Sequence, residues 1–139
     1  MALATLTKNG RAAIALAISS RPLHLAWGSG SPEWDADDPV LPSLVDSTAL
    51  VNELGRRTPS RIGFVEPEAY AYSDASNAVI REMGLFMDTE FVDGLPEGQR
   101  YFVPAELRSP GLLLAAQIII PRINRSPSVR QTVEFVLPI

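Results

Sequence analysis

The run Asn77-Ala78-Val79-Ile80-Arg81-Glu82-Met83-Gly84-Leu85-Phe86 is apolar except for one arginine-glutamate pair and one glycine. Short apolar runs of this length read as buried strands. A glycine inside such a strand marks a close approach of the backbone to something else, or a special dihedral. The run carries no obvious chemistry, so its meaning depends on the segments around it.

A chain of 139 residues with 46% hydrophobic and 20% charged residues is expected to form one domain over 1–139, with a core that needs no staples. The absence of cysteine excludes disulfides and zinc-thiolate sites but leaves the compartment open. A net charge of -4 and a pI near 4.9 argue against a nucleic-acid binder, because no basic excess is present to neutralise phosphates. Proteins are the expected partners. Of the 12 basic residues all but Lys8 are arginine, a skew that suits interfaces and that codon bias in a GC-rich genome would also produce. No segment reaches the length of a membrane span, and the N-terminus lacks a signal-peptide pattern, so a soluble product made without export is expected.

Taken in order, Arg11 to Ile18 is alanine-rich and follows Thr7 and Asn9, either of which can cap a helix; Ser19-Ser20-Arg21-Pro22 then ends it. Leu23 to Gly28 alternates, with Leu23, Leu25 and Trp27 on one face of an expected strand and His24 on the other. Gly28 to Pro39 reads as a long loop. Thr48 to Leu54 suggests a second short helix stopped by Gly55, with Arg56 and Arg57 complementing its dipole. Further strands are expected at Arg61–Pro67, at Tyr101–Val103, at Leu112–Ile120 closed by Pro121, and at Val129–Leu137, where Val133, Phe135 and Leu137 face inward. Between them, Met87 to Arg100 forms a turn-rich excursion. The fold class is α+β: one or two N-terminal helices packed on a mainly antiparallel β-sheet or small β-sandwich.

Candidate chemistry is sparse. His24, the one histidine, has no second histidine, cysteine or serine motif beside it, so a structural role is expected. The acids Glu33, Asp35, Asp37 and Asp38 lie close together, but the offsets of an EF-hand are missing. A carboxylate-dependent hydrolase would draw a pair from these or from Glu82 and Glu106, and no spacing singles one out. No catalytic, cofactor-binding or metal residue is assigned. Trp34 can pack locally or meet a partner protein, and Tyr70 and Tyr72 are open to the same two readings.

Four pieces occur in a telling order: Leu6-Thr7-Lys8-Asn9-Gly10-Arg11, the Leu25-Ala26-Trp27-Gly28-Ser29-Gly30 strand and turn, Ala49-Leu50-Val51-Asn52-Glu53, and Ile80-Arg81-Glu82-Met83-Gly84-Leu85-Phe86. This succession resembles the N-terminal domain of bacteriophage tail-fibre and tail-collar proteins of the contractile-tail type, over roughly residues 5–90, with Met83 where isoleucine is usual. The resemblance implies a non-enzymatic virion structural protein of the tail, made in the host cytoplasm, with other tail, baseplate or fibre proteins as partners and a homo-oligomer, a trimer, as its assembly. Typical fibres continue into a shaft and a receptor-binding tip, whereas this sequence stops at Ile139. A short baseplate, tail-tip or fibre-adaptor component is therefore expected, with a carbohydrate- or receptor-binding module as the alternative. Interface candidates are Trp34, Tyr70, Tyr72, Arg56 and Arg57. Ile80, Glu82, Gly84, Leu85 and Phe86 form the structural motif.

Overall fold

The computed structural model describes residues 2–59, 78–125 and 135–137. Helix α1 (Lys8–Ser19) opens on Thr7, whose Oγ1 accepts a hydrogen bond from the Gly10 amide at 3.0 Å, satisfying one of the helix's first free donors. Among the described residues seven strands follow: β1 (Leu23–Gly28), β2 (Glu53–Arg57), β3 (Ala78–Met87), β4 (Glu90–Phe91), β5 (Tyr101–Phe102), β6 (Leu107–Ser109) and β7 (Leu112–Arg125). Five of them form an antiparallel sheet in the order β5-β2-β1-β3-β7, and β4 pairs with β6 in a small second sheet. One helix on a mainly antiparallel sheet is the expected α+β class.

β1 and β3 lie at the centre, and both are covered on both faces. Leu23, Leu25 and Trp27 share a core cluster with Ile80, Met83, Leu85 and Phe135. His24 points to the opposite side, where Phe91 and Phe102 meet its ring edge-on at 5.1 and 5.7 Å between centroids. This aromatic surrounding gives it the structural role expected of it.

The second helix is not formed. Ser47 to Asn52 is irregular, and Glu53 to Arg57 is strand β2, with Gly55 opposite Trp27 instead of stopping a helix. The cause is a competing acceptor. The amides of Val51 and Asn52 donate to the Glu82 carboxylate at 2.8 Å each, so they are unavailable to helical carbonyls. Arg56 and Arg57 accordingly sit in a strand, not at a helix terminus.

Pro121 does not close the last long strand. β7 runs on to Arg125 through a cis Ile120–Pro121 bond, and its register with β3 shifts between Ile80 and Glu82. The strand expected at Arg61–Pro67 and most of the one at Val129–Leu137 lie outside the described residues. Of the latter, Phe135 is buried, Leu137 packs against the core and Val136 is exposed, the alternation expected, although these three residues belong to no strand.

Candidate functional site

The segment from Ser29 to Asn52 contains one 3-10 turn, Pro32–Asp35, and otherwise no regular structure, yet it is fixed to the sheet at several points. Most of them involve β3. Glu82, 4% exposed, accepts three backbone hydrogen bonds: from Gly30 at 3.0 Å and from Val51 and Asn52. A buried carboxylate needs such donors, and here they come from both ends of the loop, pulling them together. Ser29 and Asn52 complete the closure, the Ser29 amide donating to the Asn52 carbonyl at 3.0 Å.

Arg81 holds the first part of the segment. Its guanidinium donates to both oxygens of Asp35 at 2.8 to 3.1 Å and to the Ser29 carbonyl at 2.9 Å. Asp35 is shared with Arg122 of β7 at 2.6 Å. These bonds, Arg81 foremost, hold the Asp35 carboxyl below its ordinary range against a smaller opposing effect of desolvation. Trp34 lies over Gly30, a left-handed residue at φ +58, where an added Cβ would come within 2.3 Å of the indole.

Gly84 gains its purpose from the register. Ala26, Gly84 and Ala116 are neighbours across β1, β3 and β7, a row of small residues over three adjacent strands. Leu50 of the loop rests on this row: a Cβ at Gly84 would come 3.0 Å from its Cδ2 and 2.9 Å from Leu113 Cδ1. The close approach expected at this glycine is thus made by side chains. Phe86, two residues on, supports the Arg56 guanidinium 4.0 Å above its ring.

The interface candidates separate accordingly. Trp34 is 6% exposed and Arg56 1%. Arg56 makes a two-pronged pair with Glu53, at 2.6 and 3.0 Å, and also donates to Thr89 Oγ1 and the Pro110 carbonyl. Both side chains make their contacts inside the chain. Arg57 is half-buried in β2. Tyr70 and Tyr72 lie outside the described residues. Trp27 and Trp34, the only two tryptophans of the chain, are both buried, so neither offers a flat platform to a sugar.

The carboxylates are likewise dispersed. Asp35 and Glu82 hold the loop, and Glu106 accepts from the Gln99 side chain at 3.0 Å and from the Val103 amide at 3.1 Å, bonds that lower its pKa. Glu33, Asp37 and Asp38 are exposed. Among the described residues no group of three or more metal-ligating side chains comes together, and no helix is long and apolar enough to cross a membrane.

What the loop does present is aliphatic. Val40 is 96% exposed, Val45 88% and Val51 65%, on a segment that charges tie down between Ser29 and Asp35 and again at Val51 and Asn52. Sequence reading passed over this surface because the flanking prolines and acids mark only a loop. The available signal was the Arg81-Glu82 pair, since charges inside a buried strand must reach partners on another segment.

No curated protein is matched by the sequence. A family model described as "Baseplate wedge 3 tail fiber network component" matches residues 1–71 and 68–139, which together span the chain. The chain therefore belongs to this family of structural components of the bacteriophage baseplate and tail fibre network.

Proposed function

We propose that this chain is an adaptor of the tail, docking on the baseplate and mounting fibres through the aliphatic loop from Asp38 to Val51. The observation that carries the reading is the combination of exposure and fixation: Val40, Val45 and Val51 face solvent on a loop that Glu82, Arg81 and Leu50 hold in place. A preformed apolar surface loses little conformational freedom on docking, which favours assembly between ordered proteins. Asp35 and Glu82 are engaged in holding the loop to the sheet, which favours a scaffold over a hydrolase. The partners are other baseplate, tail or fibre chains, and the protein is made in the host cytoplasm before it enters the virion.

Imaging particles that carry Val40→Asp and Val45→Asp together, beside particles lacking the protein, tests this. The expected result is tails with baseplates but without fibres in both, while the purified variant retains its circular dichroism and unfolding midpoint. Fibres of normal number on the double variant would refute the loop as the docking surface.

A further inference from the structure

The loop that carries the exposed valines is also charged with a single sign. From Pro22 to Gly55 the sequence contains no lysine or arginine, although it holds six acids. Two of the six are engaged within the chain: Asp35 by Arg81 and Arg122, and Glu53 by Arg56. The other four, Glu33, Asp37, Asp38 and Asp46, are exposed, and none of them pairs with a described basic residue. Their order matters as much as their number. Asp37 and Asp38 come just before Val40, and Asp46 directly follows Val45, so carboxylates border the loop's two most exposed valines on both sides along the chain.

We propose that the loop docks on a surface of another baseplate or fibre chain whose apolar centre is bordered by lysine or arginine. The inference rests on the docking role given to the loop above and adds the sign of its partner. Interfaces place apolar side chains at the centre and charge at the rim, and the rim decides which partners are admitted. Carboxylates with no basic residue among them are repelled by an acidic face and drawn to a basic one. Within the chain Arg81 and Arg122 reach this loop, and both are taken up by Asp35, so the rim acids are left to a partner's cations. A second copy meeting loop to loop is disfavoured on the same ground, because a two-fold contact would set Asp37, Asp38 and Asp46 against like charges.

The test images particles assembled with variant chains. Asp37→Lys, Asp38→Lys and Asp46→Lys together reverse the sign of the rim and leave Val40 and Val45 in place; the corresponding triple change to asparagine removes the charge alone. The expected result is a fall in fibre number of about tenfold or more with the lysines and a smaller fall with the asparagines, while both purified variants keep their circular dichroism and unfolding midpoint. The asparagine variant decides the question should the lysines disturb the fold. Normal fibre number on both triple variants, beside fibreless particles from the Val40→Asp and Val45→Asp double variant, overturns the basic partner and leaves the docking loop standing. Normal fibre number on all three variants overturns both. Self-association of the natural chain in light scattering that the lysines abolish also overturns the proposal, since the complementary surface then belongs to a second copy.

Discussion

Helix α1 and the loop from Ser29 to Asn52 flank the same strand, β1, and are attached to the sheet in opposite ways. The helix is regular, yet none of its residues is fully buried, and Ile18 near its end is its contact with the core cluster. The loop is irregular, yet it is held by a buried carboxylate, an arginine-aspartate pair, a tryptophan and a leucine. Regularity therefore says little about attachment. The helix satisfies its backbone internally and can lie on the outside, whereas the loop must find acceptors elsewhere and becomes fixed wherever it finds them.

The largest effect should come from removing the acceptor the loop depends on. Glu82→Ala leaves the amides of Gly30, Val51 and Asn52 without their partner and should cost about 3–5 kcal/mol of stability. Denaturant unfolding measures the total, and hydrogen exchange at those three amides locates it. A loss below about 1 kcal/mol would mean that the loop is held chiefly by its apolar contacts.

Acid should act next, in two stages. Burial first, and the nearby Arg56 charge second, lower the pKa of His24 from 6.5 to about 4. As pH falls below 6.5 the unfolded chain takes up this proton before the folded one. Stability therefore declines between 6.5 and about 4, by on the order of 2–3 kcal/mol, and below 4 this residue adds no further loss. Asp35 responds with the same sign at lower pH. Its depressed pKa contributes stability above the ordinary carboxylate value, and that contribution disappears as pH falls through the folded value. Unfolding at pH 7 and pH 5 should differ in the natural protein and much less in His24→Leu. Below pH 4 the loop should exchange its amides faster before α1 does, since the Asp35 carboxylate ties the loop directly to the sheet.

Gly84→Val tests the apolar side of the attachment. Leu50 and Leu113 leave no space for the added methyls, and overpacking of this kind costs about 1–3 kcal/mol. Combining Gly84→Ala with Leu50→Ala should be less damaging than the sum of the two, because the truncated leucine vacates the space that the new methyl needs. Strict additivity would show that Gly84 and Leu50 are not energetically coupled.

These residues also show what was legible beforehand. β1 and β3 could be read because alternation and an apolar run are local properties, and the cap at Thr7 is local too. The second helix failed on a long-range fact: Ala49-Leu50-Val51-Asn52-Glu53 has reasonable helical propensity, but Glu82, some thirty residues later, takes its amides. Gly84 was recognisable as a close approach, while the identity of what approaches it required the register that aligns it with Ala26 and Ala116. Arg56 was expected at the end of the second helix, and its place changed with the loss of that helix. Only the fold brings Glu53, Phe86 and Pro110 around it.

The smallest effect is expected at the helix itself. Thr7→Ala removes the side-chain acceptor of the Gly10 amide and should cost about 1 kcal/mol of helix stability. Because α1 buries so little, the loss should appear as fraying of its first turn, seen as faster amide exchange at Gly10 and slightly reduced ellipticity, with the global unfolding midpoint nearly unchanged. Ile18→Ala, which removes the contact with the core cluster, should move that midpoint more than the cap does. Were Thr7→Ala to lower the midpoint as far as Glu82→Ala does, the helix would have to unfold together with the sheet, and its outward position would not reflect loose attachment. A small, local response leaves α1 as an element that forms on its own propensity, while the loop forms on the demands of buried charge.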